Sequence, residues 1–224
     1  MQIAIDGPAG AGKSTVAKLV AERLGFIYID TGAMYRALTY LVLQKDADPY
    51  DEENVYTIQQ EMDLQLLPAA DATSCRVLVN GEDVSEKIRH PDVGKAVSVV
   101  SSHGRVRWAM VALQQELASG CNVVMDGRDI GTTVLPKAEL KIFLSASVEE
   151  RAKRRLAELV QKGHRLTLEA VIADIKKRDH IDSTRAISPL RMAEDAVEID
   201  TTDLSVDQVV EEILALVVRR ENRV

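Results

Sequence analysis

Nine residues near the start of the chain, Gly7-Pro8-Ala9-Gly10-Ala11-Gly12-Lys13-Ser14-Thr15, constrain most of what can be built around them. They follow a short apolar run, Ile3–Ile5, and lead into Ser14–Leu24, where Val16, Ala17, Leu19, Val20 and Leu24 recur at helical spacing before a stop at Gly25. A glycine, four residues and then Gly-Lys-Ser, set between a buried strand and a helix, form a cradle for phosphate. Glycines let successive backbone N–H groups turn toward one point, and the helix N-terminus adds the positive end of its dipole there. In such a loop Lys13 bridges the β- and γ-phosphates of a nucleoside triphosphate, and the Ser14 hydroxyl is placed to ligate Mg2+.

The alternation of strand and helix continues. Phe26–Ile29 reads as a second buried strand ending at Asp30, and Ala33–Leu43 as a helix with Met34, Leu38 and Leu41 along one side. Later apolar runs at Asn122–Met125, Lys141–Leu144 and Ala196–Ile199 predict three more strands. Helices are expected over Gly104–Leu117, Val148–Val160, Leu166–Lys177 and Val206–Val218. The expected fold class is α/β, a five-stranded parallel sheet flanked by helices. The middle breaks the rhythm: Asp63–Leu67 and Ser74–Val79 read as strands, and Asn80-Gly81 signals a hairpin into Asp83–Val84. This predicts a small antiparallel insert over about 63–99, with a helical piece after Ser85, inside a single domain of 224 residues. The core then comprises about 1–62, 100–150 and 186–224, leaving 151–185 as a lid region.

Charge narrows the function. With 28 basic against 35 acidic residues the net charge is −7, so the chain lacks the broad positive surface that a nucleic-acid polymer needs. Phosphate must be held by a local cluster of arginines working against the overall field. No apolar stretch approaches a membrane span, and Met1–Ile5 carries no basic segment followed by an apolar one, so a cytoplasmic protein without membrane contact is expected. Cys75 and Cys121 are far apart and read as small core residues; His90, His103, His164 and His180 form no metal pattern; Trp108 reads as a packing residue. No long apolar surface stripe is left over, so a monomer is expected. Around Asn54, Asn80, Asn122 and Asn222 there is no guanine-reading Asn/Thr-Lys-x-Asp, and no Asp-x-x-Gly occurs. A GTPase is thereby disfavoured, a large motor would need more chain, and a compact kinase for a small substrate remains.

Three further segments supply the arginines. Asp30-Thr31-Gly32-Ala33-Met34-Tyr35-Arg36 follows the second strand and should lie beside the phosphate loop, with Arg36 able to grip a phosphate bidentately. Alone, this segment reads equally well as a helix cap followed by a solvated charge. Asp126-Gly127-Arg128-Asp129-Ile130-Gly131-Thr132 follows another strand, and Asp126 is placed to support Mg2+ through water. Arg178, Asp182 and Arg185 are spaced to share one face if their helix continues through them. Arg151, Arg154 and Arg155, with Lys162-Gly163-His164-Arg165 beyond, suit a basic lid over transferring phosphates. Ser98, Arg105 and Arg107 flank a helix start and suit reading of a base edge.

Taken together, the loop at 5–15, the segment 30–36, the segment 126–132 and Arg178-Asp179, Asp182 and Arg185 resemble the bacterial cytidylate kinases, a branch of the nucleoside monophosphate kinases, over essentially the whole chain. The resemblance implies γ-phosphoryl transfer from ATP to CMP or dCMP, with Mg2+, and a core with a short lid and an enlarged monophosphate-binding insert. By position it assigns cytosine contacts to Ser98, Arg107 and Asp129, and phosphate and ribose contacts to Thr31, Arg36, Arg128, Arg178, Asp182 and Arg185. Lys13, Arg128, Arg178 and Arg185 would supply the catalytic positive charge. Two other readings compete: a kinase for a non-nucleotide metabolite such as shikimate, and a nucleotide-sensing module without catalysis.

Overall fold

Ile3 and Ile5 point to one side of the first strand and Ala4 to the other, and all three are fully buried. A strand covered on both faces belongs at the middle of a parallel sheet, and that is where the chain puts it. The computed structural model describes residues 1–68, 75–161 and 163–221. In chain order, β1 (Gln2–Asp6), α1 (Lys13–Leu24), β2 (Ile27–Asp30) and α2 (Thr31–Gln44) are followed by α3 (Glu52–Gln60). Then come β3 (Leu64–Pro68), β4 (Cys75–Val79), β5 (Glu82–Asp83), α4 (Pro91–Val100) and α5 (Gly104–Ala118). The chain closes with β6 (Val123–Gly127), β7 (Leu140–Ser145), α6 (Val148–Gln161), α7 (Leu168–Thr184), β8 (Val197–Asp200) and α8 (Val206–Glu221).

Five parallel strands run in the order β2-β6-β1-β7-β8, with Ile5 opposite both Asp126 and Ile142. One apolar cluster, on the Ala4 face, gathers α2, α3, α4 and α5 with Val77 and Val79 of the small sheet. The other, on the Ile3 and Ile5 face, gathers α1 and α8. The order of strands puts the turns after β1, β2 and β6 side by side at the carboxyl edge, the place where open α/β sheets bind ligands.

The insert forms its own antiparallel sheet, β3-β4-β5, and Asn80 and Gly81 turn with φ of 51° and 82°. Two successive left-handed residues make the tight turn whose twist matches a hairpin. Ser74, taken as the start of a strand, and Lys162 lie outside the described residues, as does the side chain of Cys75. Cys121 is half-buried, donating weakly to the Leu117 carbonyl at 3.5 Å.

Two features depart from the sequence reading. Helix α3 was not anticipated: only Val55 and Ile58 mark its apolar side, and its start is set by Asp51, which accepts from the Asn54 N–H at 3.2 Å. Trp108, expected to pack, is 63% exposed on the outer side of α5. On that surface Arg105 lies 4.0 Å from the Tyr56 ring and pairs with Glu53, so it faces away from the cleft. No helix of the described residues is long and apolar enough to cross a membrane.

Candidate active site

A single cleft of about 1140 Å3 opens along the carboxyl edge of the sheet. Its floor is the phosphate loop and the turns after β2 and β6; its walls are α4, α6 and α7, and the stretch Thr201–Val206 after β8. Gly7 has φ of +148°, and a Cβ there would lie 2.1 Å from the Leu144 carbonyl oxygen, so only glycine lets the loop turn this close to β7. Gly12 in turn adopts φ of +84° and delivers the chain into α1.

Lys13 is buried and donates to the Pro8 carbonyl at 2.8 Å, folding its side chain back along the loop. Burial, then repulsion from Arg128, lowers its pKa to about 7. A phosphate beside it would reverse that balance. Ser14 donates from Oγ to Asp126 at 2.8 Å, and Tyr28 donates from its hydroxyl to the other Asp126 oxygen at 2.9 Å. Burial, and next the neighbouring Asp30, raise the pKa of Asp126 to about 6. A hydroxyl and a carboxylate facing the phosphate loop form a sparse set of hard oxygens. That fits a cation such as Mg2+, which keeps much of its shell in water and phosphate oxygen.

On the side of the cleft walled by α2, α4 and α7, ion pairs fix Arg36, Arg107, Arg128 and Arg185. Arg36 donates to Asp30 at 2.8 Å, and Asp30 also caps α2 by accepting from the Ala33 N–H at 2.8 Å. Arg128 donates from Nε to Asp182 at 2.9 Å. Arg107 donates to Asp129 at 2.7 Å and to the Ser101 carbonyl at 3.0 Å, while Arg185 reaches the other Asp129 oxygen at 3.2 Å. Helix α7 runs through Arg178 and Asp182 and ends just before Arg185. Among the described residues Arg178 has no ion pair, and its Nε is buried without a hydrogen-bond partner. Burial, then the charge of Arg128, depresses its pKa; burial, then Arg107, does the same to Arg185. Cations crowded in this way are short of negative charge, which is what an arriving phosphate supplies.

Comparison with known proteins gives the arrangement its family. A family model described as cytidylate kinase matches residues 3–219. The chain belongs to the cytidylate kinase family. The cytidylate kinase of Halalkalibacterium halodurans is 55% identical over 220 residues, 98% of each chain. That of Bacillus subtilis is 55% identical over 217 residues, covering 97% of this chain and 96% of the relative. A solved structure of an uncharacterised protein from Eubacterium ventriosum shares the fold at 13% identity and a TM-score of 0.51, over 98% of both chains.

Within this member of the cytidylate kinase family, the cleft brings together Lys13, Ser14, Thr15, Arg36, Ser98, Arg107, Asp126, Arg128, Asp129, Arg154, Arg155, Arg178, Asp182 and Arg185. Besides Arg105, Thr31 and Arg151 face elsewhere. Thr31 is buried and donates to the Asp126 carbonyl at 2.7 Å, tying β2 to β6; Gly127 has no side chain to hold that hydroxyl off. Arg151, expected in the lid, is 4% exposed and turned under the phosphate loop, donating to the Ala9 carbonyl at 2.9 Å and to Asp179 at 2.7 Å. Arg154 lines the cleft but donates to Thr201, from Nη1 to Oγ1 at 3.0 Å and from Nη2 to the carbonyl at 2.6 Å.

Sequence reasoning passed over several residues that shape the site. Asp6 accepts from the N–H groups of Ile130 and Gly131 at 2.8 and 2.7 Å, pinning the turn after β6 to the phosphate-loop strand. Its burial raises its pKa to about 6. Tyr28, inside β2, and the 201–206 stretch carry no motif of their own; for the latter the end of β8 before it was the only signal.

Proposed function

We propose that this chain transfers the γ-phosphoryl group of ATP to the phosphate of CMP or dCMP, giving ADP and CDP or dCDP, as a monomer in the cytoplasm. The observation that carries the reading is the convergence of Lys13, Arg36, Arg128, Arg178 and Arg185 on one cleft in a chain of net charge −7.

The triphosphate lies on the 7–15 loop, with its base toward Thr201–Val206 and Arg154 and Arg155 above it. The monophosphate lies between α2, α4 and α7. Its phosphate meets Arg36, Arg128, Arg178 and Arg185, and its ribose meets Asp182. Phosphoryl transfer through a loose transition state needs alignment and positive charge more than a covalent intermediate. Lys13 holds the β- and γ-phosphates, and the arginines neutralise charge on the moving group. Ser14, with Asp126 through water, would hold Mg2+, which would supply positive charge to the transferring phosphates. Closing of the α6–α7 turn as a lid excludes water, the competing acceptor.

Cytosine is read by Asp129, which accepts from the exocyclic amine, with Ser98 and Arg107 beside it. Uracil has no such amine and leaves the buried carboxylate facing an acceptor. The decisive experiment is a coupled ADP assay with CMP, dCMP, UMP, AMP and shikimate. The proposal expects rapid turnover with CMP and dCMP and slow turnover with the others. No ADP with either cytidine nucleotide overturns the activity, and equal rates for CMP and UMP overturn the base assignment.

A further inference from the structure

The two helices that flank the lid turn have an apolar cluster of their own, Ala152, Leu159, Val171 and Ile175, separate from the two clusters on the sheet. Their attachment to the phosphate loop is polar. Arg151 in the first turn of α6 donates from Nη1 both to the Ala9 carbonyl at 2.9 Å and to Asp179 Oδ2 at 2.7 Å. Its Nε donates to the Ala146 carbonyl at 3.0 Å, at the start of the strand-to-helix turn. Asp179 on α7 completes the circuit: its Oδ1 accepts from the Ala9 N–H at 3.3 Å. One ion pair therefore grips Ala9 through both its N–H and its carbonyl. Beside it, Gly10 turns at φ of +78°, and a Cβ there would lie 3.1 Å from both Cβ and the carbonyl oxygen of Arg151, so the loop rests directly on α6.

We infer that Arg151 and Asp179 form a positioning pair that holds the phosphate loop in its donor-binding shape. The inference rests on the reading that this loop binds ATP. Neither side chain needs to touch nucleotide. Fixing the peptides on both sides of Ala9 aims the following N–H groups before the phosphates arrive, so less ordering remains to be done on binding.

The test compares Asp179→Ala, Asp179→Asn and Arg151→Lys with the parent. ATP affinity is titrated with a fluorescent ATP analogue in the absence of any monophosphate, KM is measured for ATP and CMP, and thermal denaturation verifies folding. Asp179→Ala should weaken ATP binding about tenfold and Asp179→Asn about threefold, the size expected for loss of charge-assisted hydrogen bonds, while KM for CMP stays within twofold. Asp179→Asn and Arg151→Lys combined should weaken binding less than the product of the single effects, because they dismantle one unit. Folded variants that bind ATP less than threefold more weakly in the case of Asp179→Ala, or a KM for CMP that rises as far as the ATP constant, overturn the inference. If Asp179→Ala does not fold, Asp179→Asn decides, and binding within twofold of the parent counts against the pair. Failure of CMP as an acceptor would sink the activity proposed above and leave the ATP titration intact.

Discussion

Arg128 and Asp182 meet at 2.9 Å although 54 residues separate them, joining the turn after β6 to the last turns of α7. The Asp182 side chain is 7% exposed and that of Arg128 22%, so the pair sits at the inner wall of the cleft. One carboxylate thus sets the aim of a cleft-lining guanidinium.

That geometry predicts that Asp182→Ala acts on the acceptor half. Removing one member of a largely buried pair strands the other charge and frees its side chain. The expected result is a fall of at least tenfold in kcat/KM for CMP, with the affinity for ATP within threefold of the parent. Steady-state kinetics with each substrate varied in turn check it.

Lys13 sits in the phosphate loop with its charge opposed by burial and by Arg128. Lys13→Ala should lower kcat by on the order of a hundredfold, the effect of losing one preorganised electrostatic donor. Turnover within a factor of two of the parent would contradict the role.

In the proposed reading, base choice turns on Asp129, held between Arg107 and Arg185. An amide in its place offers a donor as well as an acceptor, so Asp129→Asn should reduce the preference for CMP over UMP by about tenfold. Competition of the two monophosphates in one reaction, with the diphosphate products separated, measures the ratio. An unchanged ratio would assign cytosine reading elsewhere.

Asp6 predicts a pH dependence of stability. Burial raises its pKa in the fold from 3.8 to about 6. Between those values the folded chain holds a proton that the unfolded chain has released, so this group's contribution to stability falls as pH rises from about 4 to about 6. About two pH units correspond to at most about 3 kcal/mol. Urea denaturation of the parent and of Asp6→Asn across this range should show the parent losing ground as pH rises. Parallel curves would refute the assignment.

The parts of this molecule that were legible in the sequence are those whose meaning is local. The phosphate loop carries its strand, its glycines and its helix within one stretch, and Asn80-Gly81 carries its own turn geometry. What the sequence withheld depends on partners far along the chain. Asp6 finds its N–H donors 124 and 125 residues away, and Asp179 finds Ala9 at a separation of 170. Thr31 reads as a hydroxyl free to meet substrate, yet its position beside Gly127 turns it onto a backbone carbonyl. Arg151 is indistinguishable by type from Arg154 and Arg155; only the approach of Gly10 to α6 decides which arginine goes beneath the loop. Helix α3 escaped because its short apolar side gave too little periodicity.

The alternation of Ile3 and Ile5 against Ala4 divides the interior into compartments that share little besides the sheet. On the proposed reading, the compartment with α2, α4, α5 and the small sheet lies under the monophosphate and the one with α1 and α8 under the triphosphate. A change of acceptor can therefore be engineered by repacking the first alone, with the second kept as a constant chassis. Chimaeras that exchange residues on the Ala4 side would inherit a new substrate pocket with the ATP platform undisturbed.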